Sequence, residues 1–362
     1  MRVMIAILLS LFLARAAGAG PGDAMQARAT IAAVQALPPG GIEERKTVVI
    51  GGIRQWITVR GARRDNPVLL FLHGGPGTPM MPESWTFQRP WEDYFTVVQW
   101  DQRAAGKTWS EAGRKPGTPL SIDLMTNDAI ELVQYLRTTY GKRKIFLMGH
   151  SWGTVLGLEV ARRRPDLLFA YVGVGQVVDM VRNEEAGYRL TLDAARRQHN
   201  VQAVAELDAI APYPNADRSL PLYKTAVERK WAVALRGMVY NATGEDEDAR
   251  RRLSPDYTPY DVESARQGEL ATVTALWPTL GRASFADLRS LDCPLVIFAG
   301  ERDMVTPPAL ARKFFDRVRA PSKRFFLVPD AAHYVVNEAP GVTLVDLVTA
   351  VLPLGAASGP ER

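Results

Sequence analysis

A single cysteine, Cys293, in 362 residues leaves no partner for an internal disulfide. It lies in Leu291-Asp292-Cys293-Pro294-Leu295-Val296-Ile297-Phe298, a run of strand character in which a packed thiol is expected rather than a nucleophile. Histidine is scarce as well. His73, His150, His199 and His333 are the whole set, and none falls in an HExxH or CxxC-type pattern, so no metal site is expected. Dense lysine/arginine blocks are missing. The net charge is +5, with Arg2 and Arg15 of the leading segment contributing two of those charges, and no nucleic-acid partner is indicated. The apolar run from Val3 to Ala14 stops short of the roughly 20 residues a membrane-spanning helix needs.

That leading run has another reading. Arg2 supplies a positive start, and Ala17-Gly18-Ala19 offers a small-x-small cleavage site. Residues 1–19 are therefore expected to be a signal peptide. The mature chain would be periplasmic or secreted, with no stable membrane anchor after cleavage. Residues 20–45, rich in Ala, Gly and Pro, read as a linker with one short helix over Ala24 to Leu37.

From residue 46 the pattern is that of an α/β protein. Two β-type runs, Lys46–Ile50 and Gln55–Val59, flank Gly51-Gly52 as in a hairpin. Pro67–Leu72 is a continuous apolar run suited to a strand buried on both faces, and Phe95–Trp100, Lys144–Met148 and Phe169–Val174 are further strand candidates. Met125, Ala129, Leu132, Val133 and Leu136 recur at helical spacing before Lys144–Met148. Strand, helix, strand in that rhythm predicts a mostly parallel sheet. Between 177 and 289 strand runs vanish and charged helical segments take over. The sheet pattern resumes at Pro294–Ala299 and Phe325–Val328. The expected organisation is one core, 46–176 with 290–354, carrying a helical cap of residues 177–289 after the sixth core strand. Such an insertion belongs over the carboxyl edge of the sheet, where ligands bind.

Gly149-His150-Ser151-Trp152-Gly153 has the form Gly-x-Ser-x-Gly, between an apolar strand run and a helix-compatible one. That context suits a nucleophile elbow with Ser151 at its tip. A serine nucleophile needs a base, an acid to orient it, and an oxyanion hole. His333 follows the last strand and is the candidate base. Asp303 follows the preceding strand and is the favoured acid, with Glu301 and Asp330 as rivals, the latter only three residues from His333. Trp152 opens a helix, so its backbone N–H is free to be one oxyanion donor. Gly75, in His73-Gly74-Gly75-Pro76-Gly77, is the candidate for the second. No cofactor is required by this chemistry.

Together His73-Gly74-Gly75-Pro76-Gly77, Asp101-Gln102-Arg103, Gly149–Gly153, Gly300-x-x-Asp303 and His333 resemble the proline iminopeptidase branch of the α/β-hydrolases, over roughly residues 45–180 and 288–350. The resemblance implies an α/β-hydrolase fold and removal of an N-terminal residue, typically proline, from short peptides. Two departures stand out. The family's Asp-Gln-Arg-Gly-x-Gly turn reads Asp101-Gln102-Arg103-Ala104-Ala105-Gly106 here, one glycine short, and an exported location is unusual for the branch. The family's local motifs for cap carboxylates that bind the substrate amine are not matched either.

An aminopeptidase must hold a buried ammonium group, which needs a carboxylate. Glu184, Glu185, Glu206 and Glu228 are available in the cap. Glu228, one helical turn from Trp231, is the first choice for the amine. Tyr188, Tyr213, Tyr223, Trp231 and Trp277 could wall a proline-sized pocket. The expected partner is thus a small peptide or a small ester. The competing readings are a carboxylesterase on small acyl esters and a catalytically silent binding protein on a hydrolase scaffold.

Overall fold

The structure, a computed structural model, describes residues 21–115, 117–241 and 244–356. The expected signal peptide, 1–19, lies outside the described residues. Helix α1 (Pro21–Val34) comes first. An antiparallel hairpin follows, of β1 (Ile42–Ile50) and β2 (Ile53–Gly61). Its turn uses Gly51 and Gly52 at φ of 56° and 76°, the left-handed pair a two-residue hairpin loop demands. β1 begins at Ile42, inside the stretch expected to be linker. Glu43, Glu44 and Arg45 read as linker residues, yet an edge strand is polar on its solvent side and places just such residues there.

β3 (Val68–Leu72) and β4 (Thr96–Trp100) are wholly buried, the first a continuous apolar strand and the second carrying Thr96 and Gln99 as buried polar residues. Then come α2 (Gly106–Glu111), α3 (Ile122–Thr139), β5 (Ile145–His150), α4 (Trp152–Arg163) and β6 (Leu168–Val174). In α3 the residues at helical spacing, Met125 through Leu136, all face the core, and Ser121 caps the helix by accepting from the Leu124 N–H at 3.1 Å. After the cap come β7 (Leu295–Gly300) and β8 (Lys323–Val328). The eight strands lie in the order β1-β2-β4-β3-β5-β6-β7-β8, and every pairing from β4 to β8 is parallel. Apolar clusters fill both faces of this sheet.

The cap leaves and rejoins the core at one seam. Met180 N–H donates to Ala283 O at 2.9 Å, Phe285 N–H to Val178 O at 2.7 Å, and Ser284 Oγ to Asp179 Oδ2 at 2.8 Å. Between these points run α5 (Met180–Arg197), α6 (Val201–Ala209), α7 (Leu222–Ala234), α8 (Gly244–Arg252) and α9 (Pro259–Leu280). The amphipathic helices α5 to α7 close around their own apolar cluster, with Tyr188, Leu207, Tyr213 and Trp231 inside. The insertion is thus a small packed body over the carboxyl ends of the core strands. α1 meets the cap where Arg28 donates to the Arg252 carbonyl at the end of α8.

Candidate active site

β5 ends and α4 begins at Ser151. Its φ of 52° and ψ of −117° are strained for a non-glycine residue. Crowding explains the flanking glycines. A Cβ on Gly149 would lie 2.4 Å from the Gly153 carbonyl oxygen, and one on Gly153 would lie 2.1 Å from the Leu72 carbonyl oxygen. Only bare Cα atoms let α4 cross so close to β3. Gly153→Ala is therefore expected to destabilise the fold by about 3 kcal/mol or to prevent folding, measured by chemical denaturation. An unchanged denaturation midpoint would contradict this account of the turn.

Ser151 faces a cavity of about 600 Å³ between core and cap, and His333 lines the same cavity. His333 Nδ1 lies 2.9 Å from Asp303 Oδ2. Asp303 is buried, and burial alone would raise its carboxyl. The charge and hydrogen bond of His333 and the donors of Thr306 outweigh burial and hold it below the usual range. Those donors are close. Val305 N–H and Thr306 N–H each lie 2.8 Å from Oδ1, and Thr306 Oγ1 lies 2.7 Å from Oδ2. Asp330, the local rival, is exposed and faces Arg302 at 3.6 Å, and Glu301 sits beside the same arginine. With Nδ1 committed to Asp303, Nε2 is the ring nitrogen of His333 left for a serine.

The other two glycine-turn histidines are buried and neutral. Burial pushes His73 down to about 4, against its hydrogen bond to Gly74. Burial, then the charge of His333, pushes His150 down to about 3. His150 Nε2 lies 2.9 Å from the His333 carbonyl oxygen and so braces the histidine loop. Gly75, at φ of 112°, and Trp152 both line the cavity beside Ser151, and Trp152 is the first residue of α4. Its N–H therefore has no partner within the helix.

The cap differs from its sequence reading. Glu228 and Trp231 do not line the cavity. Both turn inward to the cap's own core, where Glu228 accepts from Thr191 Oγ1 at 2.8 Å and from Arg229, and Trp231 Nε1 donates to Glu206 at 3.0 Å. Helical spacing shows that two residues share a face, not which way that face points. Of the five aromatics named, Trp277 alone lines the cavity, with Met180, Leu222, Val233 and Val273.

The carboxylates that do face the cavity beyond Glu184 are Glu83, Glu247 and Glu269. Arg251 of α8 donates to Glu83 Oε1 and Glu247 Oε1, each at 2.6 Å, and Thr78 Oγ1 donates to Glu269 Oε1 at 2.8 Å. Glu83 is 1% exposed, and its Oε2 has no hydrogen-bond partner among the described residues. Burial, against the pull of Arg251, pushes its carboxyl up to about 7. Glu83 lies in the 3-10 turn Met81–Thr86, past the His73–Gly77 loop. Nothing in its sequence surroundings marks it, because it is neither at a strand end nor in the insertion.

Residues 67–340 match the sequence profile of a family described as having the alpha/beta hydrolase fold. The chain belongs to this family. The hydrolase is 29% identical over 307 residues to a probable aminopeptidase of Bacillus subtilis (strain 168), covering 82% of this chain and 92% of that protein. A shorter stretch of 102 residues is 33% identical to a proline iminopeptidase of Neisseria gonorrhoeae, covering 28% of this chain and 30% of that one. Among solved structures, the proline iminopeptidase of Mycobacterium smegmatis aligns with a TM-score of 0.62 at 22% identity, over 87% of this chain and all of that one, a likeness of fold. The protein is a hydrolase that resembles proline iminopeptidases.

Proposed function

We propose that this hydrolase is a serine aminopeptidase acting on short peptides through an acyl-enzyme. His333 Nε2 takes the Ser151 proton as Oγ attacks the carbonyl carbon of the first residue. The N–H groups of Trp152 and Gly75 receive the charge that develops on the carbonyl oxygen. The C–N bond breaks, and the leaving amine takes the proton from His333. Water then enters, gives a proton to His333 and its oxygen to the acyl carbon, and Ser151 recovers its proton. Asp303 holds the imidazole and stabilises its charged form.

The observation that carries the aminopeptidase reading is the unpartnered Oε2 of buried Glu83, in a carboxylate cluster on the same cavity as Ser151. A buried carboxylate oxygen without a donor is costly, and a substrate ammonium group would supply the donor that Oε2 lacks. The names of the relatives support the same reading. A second reading, a carboxylesterase on small acyl esters, draws on the apolar wall of Met180, Leu222, Val233, Val273 and Trp277. A panel of prolyl and other aminoacyl anilides, their N-blocked forms and short-chain nitrophenyl esters separates the two. Equal rates on free and blocked anilides would leave the esterase.

Asp303→Asn is expected to lower kcat by about 10²–10⁴-fold, less than loss of the serine, because nucleophile, base and oxyanion donors remain. Steady-state kinetics on the preferred substrate check this. Activity within threefold of wild type would remove Asp303 from the mechanism. We also place the mature protein outside the cytoplasm, on the strength of residues 1–19 as a signal peptide. N-terminal sequencing of the exported fraction should then begin at Gly20, and an intact Met1 on a cytoplasmic product would refute it.

A further inference from the structure

The Asp101-Gln102-Arg103 turn at the end of β4 has no role in the chemistry above. Its three side chains diverge. Asp101 accepts from the Tyr257 hydroxyl of the cap at 2.5 Å and from the Lys107 N–H at 2.7 Å. Arg103 pairs with Asp128 of α3 at 2.7 Å and donates to the Gly51 carbonyl at 2.8 Å. Gln102 is fully buried and lies between the two loops that flank Ser151.

We propose that Gln102 is a positioning residue for the oxyanion hole, holding the backbone N–H groups of Gly75 and Trp152 in register with each other. The proposal rests on the acyl-enzyme reading of Ser151. Its support is that one side chain binds both loops. Gln102 Nε2 donates to the His73 carbonyl at 3.1 Å, where the glycine loop begins. Gln102 Oε1 accepts from the Trp152 indole Nε1 at 3.1 Å, on the residue after the nucleophile. The amide has one donor end and one acceptor end, and each is used on a different loop.

The backbone of Gln102 extends the same control. Its N–H lies 3.3 Å from His73 Nε2, which must then accept. The ring proton is therefore on Nδ1, which lies 2.8 Å from the Gly74 carbonyl oxygen. The Thr78 N–H reaches the same oxygen at 3.3 Å. The Gly74–Gly75 peptide is trans, so its C=O and N–H point in opposite directions. Fixing the Gly74 oxygen from one side fixes the direction of the Gly75 N–H on the other. An imidazole that burial keeps neutral is the right partner, since a protonated ring could not accept from Gln102. The Gly75 donor is thus aimed through His73, and the Trp152 residue is tied through its indole, both by Gln102.

Gln102→Met keeps the volume and removes both hydrogen bonds, while Trp152→Phe keeps Gln102 and removes one. The assay is nitrophenyl acetate hydrolysis per active site, with sites counted by fluorophosphonate titration, plus inhibition by phenylboronic acid, which binds serine as a tetrahedral adduct. The ester needs no amine site, so the result does not depend on the peptidase reading. In Gln102→Met, kcat per titrated site should fall about 10–100-fold with KM within twofold, and phenylboronic acid should weaken by a similar factor. Trp152→Phe should show a smaller loss of the same kind, and should add nothing in the Gln102→Met background, because the two share one hydrogen bond. A purely structural role would change the number of titratable sites and leave each surviving site at wild-type kcat. That result, or boronate affinity within twofold of wild type in either folded variant, overturns the proposal. Should Gln102→Met fail to fold, Trp152→Phe decides alone. Wild-type protein that takes no fluorophosphonate would overturn the Ser151 reading, and the proposal with it.

Discussion

Ser151→Ala is expected to lower kcat on any substrate of this hydrolase by at least about 10⁴-fold, with the fold intact. The magnitude follows from mechanism. Without Oγ there is no acyl-enzyme, and what is left is water attack helped by the oxyanion donors and by binding. The fold should persist because alanine removes one atom from a residue that is only half-buried, and the strained φ of 52° is imposed by the strand and helix on either side. The substitution also removes labelling by fluorophosphonates. Circular dichroism and kinetics on the same preparation check both halves. A folded Ser151→Ala protein with more than a few per cent of wild-type activity would mean that the chemistry lies elsewhere.

The core was legible because its physics is local. β3 to β7 are wholly buried and mostly apolar, and burial on both faces of a parallel sheet favours just that composition. The elbow was legible because two backbones approach within contact of Gly149 and Gly153, and only glycine permits it. Asp303 was rightly favoured over Asp330 from its place after the preceding strand, but the physical ground for that choice was only partly legible. Both lie near a strand end, and spacing cannot show that the Val305–Thr306 turn folds its donors onto Asp303. The cap was legible as a cap but not in its facing. Glu228 and Trp231 share a helix side as expected, yet that side packs inward against α5 and α6. Glu83 escaped notice for a different reason. Its significance comes from burial beside α8, whose Arg251 lies 168 residues further on, and no local pattern records so distant a contact.

Blocking the substrate's amino group should lower kcat/KM by about 100-fold or more, and Glu83→Gln should reproduce most of that loss on free-amine substrates alone. The ammonium of the first residue must leave water to reach Ser151, and the surplus carboxylates around Arg251 are what can receive it. pH separates this from a structural effect. The groups facing Glu83 are Arg251 and Arg250, which favour its charge, and Glu247, which opposes it; burial outweighs them and sets its carboxyl to about 7. Below about pH 7 it is protonated and cannot pair with an ammonium, and above about pH 8 the substrate α-amine itself loses its proton. Binding of aminoacyl substrates should thus be best between these limits, with KM rising on the acid side. Esters without an amine should lack that rise. In Glu83→Gln the acid-side rise in KM should vanish while ester turnover stays within about threefold. The sign for stability runs the other way. A carboxyl raised from 4.5 to about 7 on folding makes stability fall as pH rises through that window, since the unfolded chain ionises first. Glu83→Gln removes that pH-dependent cost but also weakens the pairing of Arg251, so its denaturation midpoint at pH 8 is to be measured alongside, and a midpoint close to wild type shows that the lost peptidase activity is not lost fold. A variant that keeps full activity on free-amine anilides, or loses ester and anilide turnover equally, would remove Glu83 as the amine's partner.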